Sequence, residues 1–217
     1  MLAIITDYGD VVRDGLLMTI WVSVLGILLG GAVGLTLAAG LSSKHRVVAW
    51  PCKVYRSAVR GTPILVQLLM LFYMPTAFGY QIDPFVAATL GLGLNSAAFQ
   101  AEIFRACSLA IPKGQVEAAD ILGFKPLNIW WSIKLPQVIR LSLPPLINEL
   151  GILVKNSSLV SIISVTELMR RGQQIVSASY QPLETYALLA IIYIALNLAL
   201  ARSGSFVEGR LAASGKE

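Results

Sequence analysis

The sequence predicts an all-α, polytopic membrane protein of five transmembrane helices, and three observations carry that reading. Hydrophobic residues make up 56% of the chain and charged residues only 13%, against about 25% charged in soluble globular domains. The charges also leave long gaps: none lies between Asp14 and Lys44, Arg60 and Asp83, Asp83 and Glu102, or Glu184 and Arg202. Each gap is near the roughly 20 residues with which a helix crosses a bilayer. Finally, the apolar runs of Leu, Ala, Gly and Ile lack the strict alternation of barrel strands, and lipid leaves no third way to satisfy the backbone.

The N-terminal stretch holds Asp7, Asp10 and Asp14 against Arg13 alone, so it lacks the basic region of a signal peptide, and the first apolar run is expected to stay in the protein. Five spans follow at residues 15–41, 61–80, 84–104, about 141–163 and 184–201. With the N-terminus outside, the inner segments 41–60, 105–140 and the tail (Arg202, Arg210, Lys216) collect thirteen of the seventeen basic residues. The positive-inside rule selects this orientation, with the C-terminus cytoplasmic. One membrane domain over 1–217 is expected, with no repeat or linker. The net charge of +5 is thereby explained as topology rather than as an affinity for nucleic acid. Gly26, Gly30 and Gly34 repeat a small-xxx-small pattern that predicts close helix packing in the first span. Cys52 and Cys107 have no metal-ligand spacing, and His45 sits between Lys44 and Arg46 as a solvated or headgroup-facing residue.

The longest non-membrane stretch contains residues 111–136, IPKGQVEAADILGFKPLNIWWSIKLP. Glu117 to Leu122 suits a short helix, Gly123 the left-handed residue that ends it, and Pro126 the start of the next. Small Ala118 and Ala119 would let this knob seat closely on a partner. Trp130 and Trp131 suit the headgroup level, and an interfacial helix with no partner is the plainer alternative.

Glu117-Ala118-Ala119, three residues, Gly123, nine residues, then Ile133-Lys134-Leu135-Pro136 is similar, at seven fixed positions, to the EAA motif of ABC importer permeases. Arg60-Gly61-Thr62-Pro63 with Gln67, Ala101-Glu102-Ile103 with Arg105, Gly114-Gln115, and Lys155-Asn156-Ser157-Ser158-Leu159 with Glu167-Leu168 resemble further motifs of the polar amino acid subfamily. The chain departs from that pattern at Ala97-Ala98-Phe99, Ala106-Cys107 and Asn156-Ser157, which leaves amino-acid derivatives such as opines open as substrates. The resemblance implies a type I importer permease fold in the bacterial inner membrane, with residues 111–136 as the coupling loop. It also implies a cytoplasmic ABC ATPase dimer that holds ATP and Mg, a second permease subunit, identical or paralogous, and an extracytoplasmic solute-binding protein. No catalytic residue, metal or cofactor is expected on this chain, and no nucleic-acid partner.

Ionisable groups within spans cost about 2.5–3.5 kcal/mol to insert and so mark a pathway or a paired contact. Asn95, Phe99 and Glu102 share one helix face, with an intrahelical Glu102–Arg105 pair as the structural alternative. Asn148 with Lys155 and Glu149 with Asn156 form a polar stripe on the fourth span, continued by Ser157 and Ser158. Gln67, Asn95, Phe99, Glu102, Ser157, Ser158 and Glu167 are the candidate pathway residues; packing between helices or subunits is the alternative for the last three. No phosphate-binding loop occurs, and one histidine precludes the usual triads. A competing function is an ATPase-independent channel or proton-coupled carrier that uses Glu102, Lys155 and Glu167 as a charge path.

Overall fold

The computed structural model describes residues 2–214, with side chains over 4–210. Lys216, counted above among the inner charges, lies outside them. Among the described residues there is no strand. The elements are α1 (Leu2–Leu41), α2 (Arg46–Gly61), α3 (Ile64–Tyr73) with a 3-10 turn at Pro75–Phe78, α4 (Pro84–Ala110) and α5 (Lys113–Ile121). They continue through α6 (Pro126–Ile129), a π turn (Trp130–Lys134), α7 (Leu135–Asn156), a 3-10 segment (Ser157–Ile163), α8 (Leu168–Ser179) and α9 (Pro182–Ser214).

The central helix is α4. Its face of Ala87, Ala88, Gly91, Gly93, Ala97, Ala98 and Ala101 is buried, and small side chains allow neighbouring backbones to approach it. The glycine stripe of α1 packs there. A Cβ on Gly34 would sit 3.0 Å from the Gln100 Cβ and 3.1 Å from the Ala97 carbonyl, and one on Gly30 would collide with the Gln100 amide. Asp83 starts α4 by accepting from the Phe85 and Val86 amides at 2.9 and 3.1 Å, an N-cap ahead of Pro84 at the first helical position. Around this axis, Val22, Leu68, Leu92, Leu153 and Val160 fill a core shared by α1, α3, α4, α7 and the 3-10 segment.

Among the described residues, three segments are long and apolar enough to cross a membrane, Ile4–Leu41, Pro126–Ile163 and Pro182–Arg210; α2 and α3, bent by 107° at their junction, make a fourth as a broken pair. The structure corrects the predicted boundaries accordingly. The second span is not a single helix over 61–80: α2 occupies most of what was read as an inner loop, and the chain breaks at Gly61-Thr62-Pro63. Pro63 offers no amide and pushes Thr62 to extended geometry (φ −115°, ψ 138°). The predicted third span starts with α4, which continues to Ala110 and falls outside those segments because Asn95, Gln100 and Glu102 dilute its hydropathy. Being wrapped by other helices, it does not need an apolar surface all round. The other spans run on beyond their predicted ends, in α1 to Leu2, in α7 back to Leu135 and in α9 to Ser214.

Candidate functional site

Three features on α4 fix the position of the α2–α3 break. The Tyr55 hydroxyl donates to the Leu94 carbonyl at 2.7 Å, Arg56 meets Glu102 at 2.8 Å, and the Arg60 guanidinium lies over the Phe99 ring at 5.2 Å. Gln67, on the first turns of α3, closes the break itself. Its amide donates to the Val59 and Thr62 carbonyls at 2.8 and 2.9 Å, and its oxygen accepts from Asn95 at 3.1 Å. The Thr62 hydroxyl bonds back to the Ala58 carbonyl. A helix interrupted here leaves backbone groups without intrahelical partners; Gln67 supplies donors for two of them.

A cavity of about 190 Å³ opens at this break, between α2, α3, α4 and α7. Arg60 and Thr62 form one wall, Asn95 and Phe99 a second, and Glu149 and Asn156 a third. Glu149 is 6% exposed, and its carboxylate accepts from the Ser96 hydroxyl at 2.7 Å. Ser96 in turn accepts from Gln100, which also donates to the Ile27 carbonyl, both at 3.1 Å. A cation and an acid thus face one small space from different helices. Its size is well below the roughly 300–1,000 Å³ of sites for drug-sized ligands, so it suits a small solute.

Of the candidate pathway residues, Asn95 and Phe99 line this cavity and Gln67 shapes it. Glu102 does not line it: one turn further along α4, it is held by Arg56 and by Arg105, both at 2.8 Å. Ser157 is fully buried and donates to the Val154 carbonyl, while Ser158 donates to the Lys155 carbonyl, each at 2.8 Å. The hydroxyls serve the passage from α7 into the 3-10 segment. Glu167 is also fully buried. It caps α8 by accepting from the Met169 and Arg170 amides at 2.8 Å and accepts from Tyr193 at 3.1 Å and Thr19 at 3.5 Å, so it ties α1, α8 and α9 together. Arg60 and Glu149 were not among the sequence candidates, although an acid within an apolar span is itself a signal.

The 111–136 stretch forms α5, α6 and the π turn. Gly123 takes φ +79°, its amide bonded to the Asp120 carbonyl at 2.9 Å and that of Phe124 to Ala119 at 3.0 Å, a left-handed helix end that suits glycine. Glu117 and Ala118 are exposed and Ala119 is buried. Ile121, Leu122 and Leu127, at 86%, 76% and 66% exposed, crown the projection with apolar surface. Ile133 lies within the π turn, Leu135 donates its amide to the Trp130 carbonyl, five residues back, and Pro136, which has no amide to give, follows where the π turn runs unbroken into α7. Gln137 donates to Gln115 at 2.8 Å and to the Ile133 carbonyl at 2.9 Å, so it joins the start of α5 to α7.

A helical membrane bundle with a broken helix beside a small charged cavity, and a short helix projecting from one end, is a solute-transport subunit. The chain belongs to the family described as Binding-protein-dependent transport system inner membrane component, which matches residues 17–213. It is 38% identical over 206 residues to the L-cystine transport system permease protein TcyB of Bacillus subtilis, covering 94% of this chain and 88% of that one. It is 37% identical over 201 residues to the arginine transport system permease protein ArtQ of the same organism, covering 92% of each. A solved structure described as an amino acid ABC transporter with histidines superposes with a TM-score of 0.88 at 34% identity, covering 95% of this chain and 96% of that one.

Proposed function

We propose that this chain forms the translocation pathway for polar amino acids, or related derivatives such as opines, in an importer whose ATP is hydrolysed by separate subunits. The cavity at the α2–α3 break carries the reading: Arg60 suits an α-carboxylate, Glu149 an α-ammonium group, and Asn95, Asn156 and Phe99 the remainder of a small zwitterion. Charge-assisted contacts to both ends of a zwitterion in a low-dielectric site give selectivity for amino acids over neutral solutes. The relatives named for cystine and arginine transport support the same class.

Basic residues concentrated at the end bearing α5 support a cytoplasmic position for that end and an external N-terminus. There the exposed Glu117, Ala118, Ile121 and Leu122 offer a seat for an ATPase dimer that supplies ATP and Mg. A second permease subunit completes the pathway, and an extracytoplasmic binding protein delivers solute at the other end. Closing of the ATPases moves α5, and α7 carries that movement to the cavity wall at Glu149. A proton-coupled charge path gains no support: Glu102 is clamped by two arginines and Glu167 is an N-cap on another element.

Uptake by proteoliposomes holding the full transporter tests this reading with labelled glutamine, arginine and cystine. Glu149→Gln and Arg60→Gln each remove one charged contact worth about 1.5–3 kcal/mol, so uptake of at least one of these solutes is expected to fall about tenfold or more. Undiminished uptake of all three by both variants would overturn it.

A further inference from the structure

A second cavity, of about 370 Å³, lies where the last turns of α1 and α4 meet the π turn and the start of α7. Arg105 and Lys134 bring two cations to it, with the Ser108 hydroxyl and the Trp130 ring beside them, and no carboxylate among the described residues lines it. Its inner wall is apolar, built on Phe104 and Val138, which are 6% and 0% exposed.

The charge around this corner is not balanced. Arg105 spends its Nε and Nη2 on Glu102, at 3.0 and 2.8 Å, and Glu102 is shared with Arg56. Lys134 makes no salt bridge among the described residues, which leaves three cations to one carboxylate. The larger groove of about 670 Å³ between α7 and α9 shows no such excess, since its lining carries one cation, Lys155, and one acid, Glu208.

We propose that this corner binds an anionic phospholipid, its phosphate between Arg105 and Lys134 and an acyl chain against Phe104 and Val138. Three physical arguments favour a lipid over a soluble phosphate. The apolar wall has no use for an inorganic anion, whereas it shields the first methylenes of a chain. Trp130 is the side chain that settles at headgroup depth. Basic pockets between helices at the cytoplasmic side concentrate anionic headgroups. The inner-leaflet assignment rests on the orientation proposed above.

The site also bridges two parts of the molecule. Arg105 belongs to the central helix, and Lys134 to the turn that joins the α5–α6 projection to α7. A phosphate held by both stiffens the link through which the projection acts on the bundle.

Native mass spectrometry of the intact transporter, purified from mixed phosphatidylglycerol and phosphatidylcholine, reads the site directly and independently of transport. Preferential retention of phosphatidylglycerol is expected. Lys134→Gln is expected to weaken it about fivefold, the worth of one lysine beside an anionic lipid surface, and Ser108→Trp, which fills the cavity, to abolish it. In nanodiscs, phosphatidylglycerol should raise solute-stimulated ATP hydrolysis in the parent and less so in Lys134→Gln. Equal retention of the two lipids, or retention unchanged in both variants, overturns the proposal. So does displacement of phosphatidylglycerol by millimolar inorganic phosphate, which would identify a soluble-anion site. Lipid retention that follows expectation while no substrate stimulates ATP hydrolysis would sustain this site and sink the transport reading instead.

Discussion

Glu102 accepts from arginines on two helices, Arg56 of α2 and Arg105 of α4, with its own side chain 21% exposed and theirs 30% and 39%. Exposed pairs contribute about 0–1 kcal/mol; a network that keeps α2 against α4 belongs at the upper end of that range. Glu102→Gln leaves two guanidiniums facing each other across a neutral amide, so the purified protein should unfold a few degrees lower, and by less in high salt. A salt-independent loss would show that the carboxylate acts through packing. Glycines give a sharper contrast. Gly34→Ala drives a methyl to 3.0 Å from Gln100 and 3.1 Å from the Ala97 carbonyl, while at Gly9 nothing among the described residues lies within 4 Å. Overpacking costs about 1–3 kcal/mol and an unhindered Gly→Ala in a helix gains up to about 1, so thermal melts of the two variants should shift in opposite directions. The stripe that produces this contrast was visible in the sequence as a four-residue spacing. The Glu102–Arg105 pair was visible too, from its three-residue spacing. The Arg56 partner was not, because forty-six positions separate it from Glu102 and only the fold of α2 joins them.

Among the elements, the broken pair α2–α3 was the least legible. Its breakers, Gly61 and Pro63, were in plain view, and so was a helical spacing that sets Arg46, Lys53, Arg56 and Arg60 on one face and Val47, Val54, Tyr55 and Ala58 on the other, but the four basic residues made the stretch resemble an inner loop between spans. What fixes that helix in place is tertiary: Tyr55, Arg56 and Arg60 each find a partner on α4. By contrast, the turn after α5 could be read from Gly123 and Pro126, because its chemistry is local. Gln67 is the pivot of the break, with two donated bonds and one accepted. Gln67→Leu keeps the volume and removes all three, leaving the Val59 and Thr62 carbonyls and the Asn95 amide to find other partners. At about 1 kcal/mol for each bond, the break loosens without the bundle unfolding. Solute affinity, read as the KM of uptake, should worsen about tenfold or more, while the amount of protein in the membrane stays unchanged. A variant that inserts and transports like the parent would show that the break needs no such pin.

Across the whole molecule, α7 runs from the projection to the cavity. At one end Gln137 reaches Gln115 at 2.8 Å; some three turns on, Glu149 reaches Ser96 of α4 at 2.7 Å and faces the cavity; beyond it the helix tightens into the 3-10 segment and leads to Glu167, which fastens α8 to α1 and α9. α7 acts as a rod through its packing, since close-packed neighbours resist compression, although Pro144 and Pro145 leave two of its backbone hydrogen bonds unmade between Gln137 and Glu149. The contact between Gln115 and Gln137 is the joint at which the projection is coupled to that rod. Both residues are distant from the cavity, and the bond is exposed, so its loss costs little stability. Gln137→Leu should therefore separate two quantities that a cavity variant moves together. Binding of solute by the detergent-purified transporter should match the parent, and solute-stimulated ATP hydrolysis should fall several-fold. Gln115→Leu should do the same, and the double variant should be no worse than Gln137→Leu, which already loses the shared contact together with its own bond to the Ile133 carbonyl. Additive losses would mean that the two glutamines act on separate routes, and α7 would no longer be the element that carries the movement from α5 to Glu149.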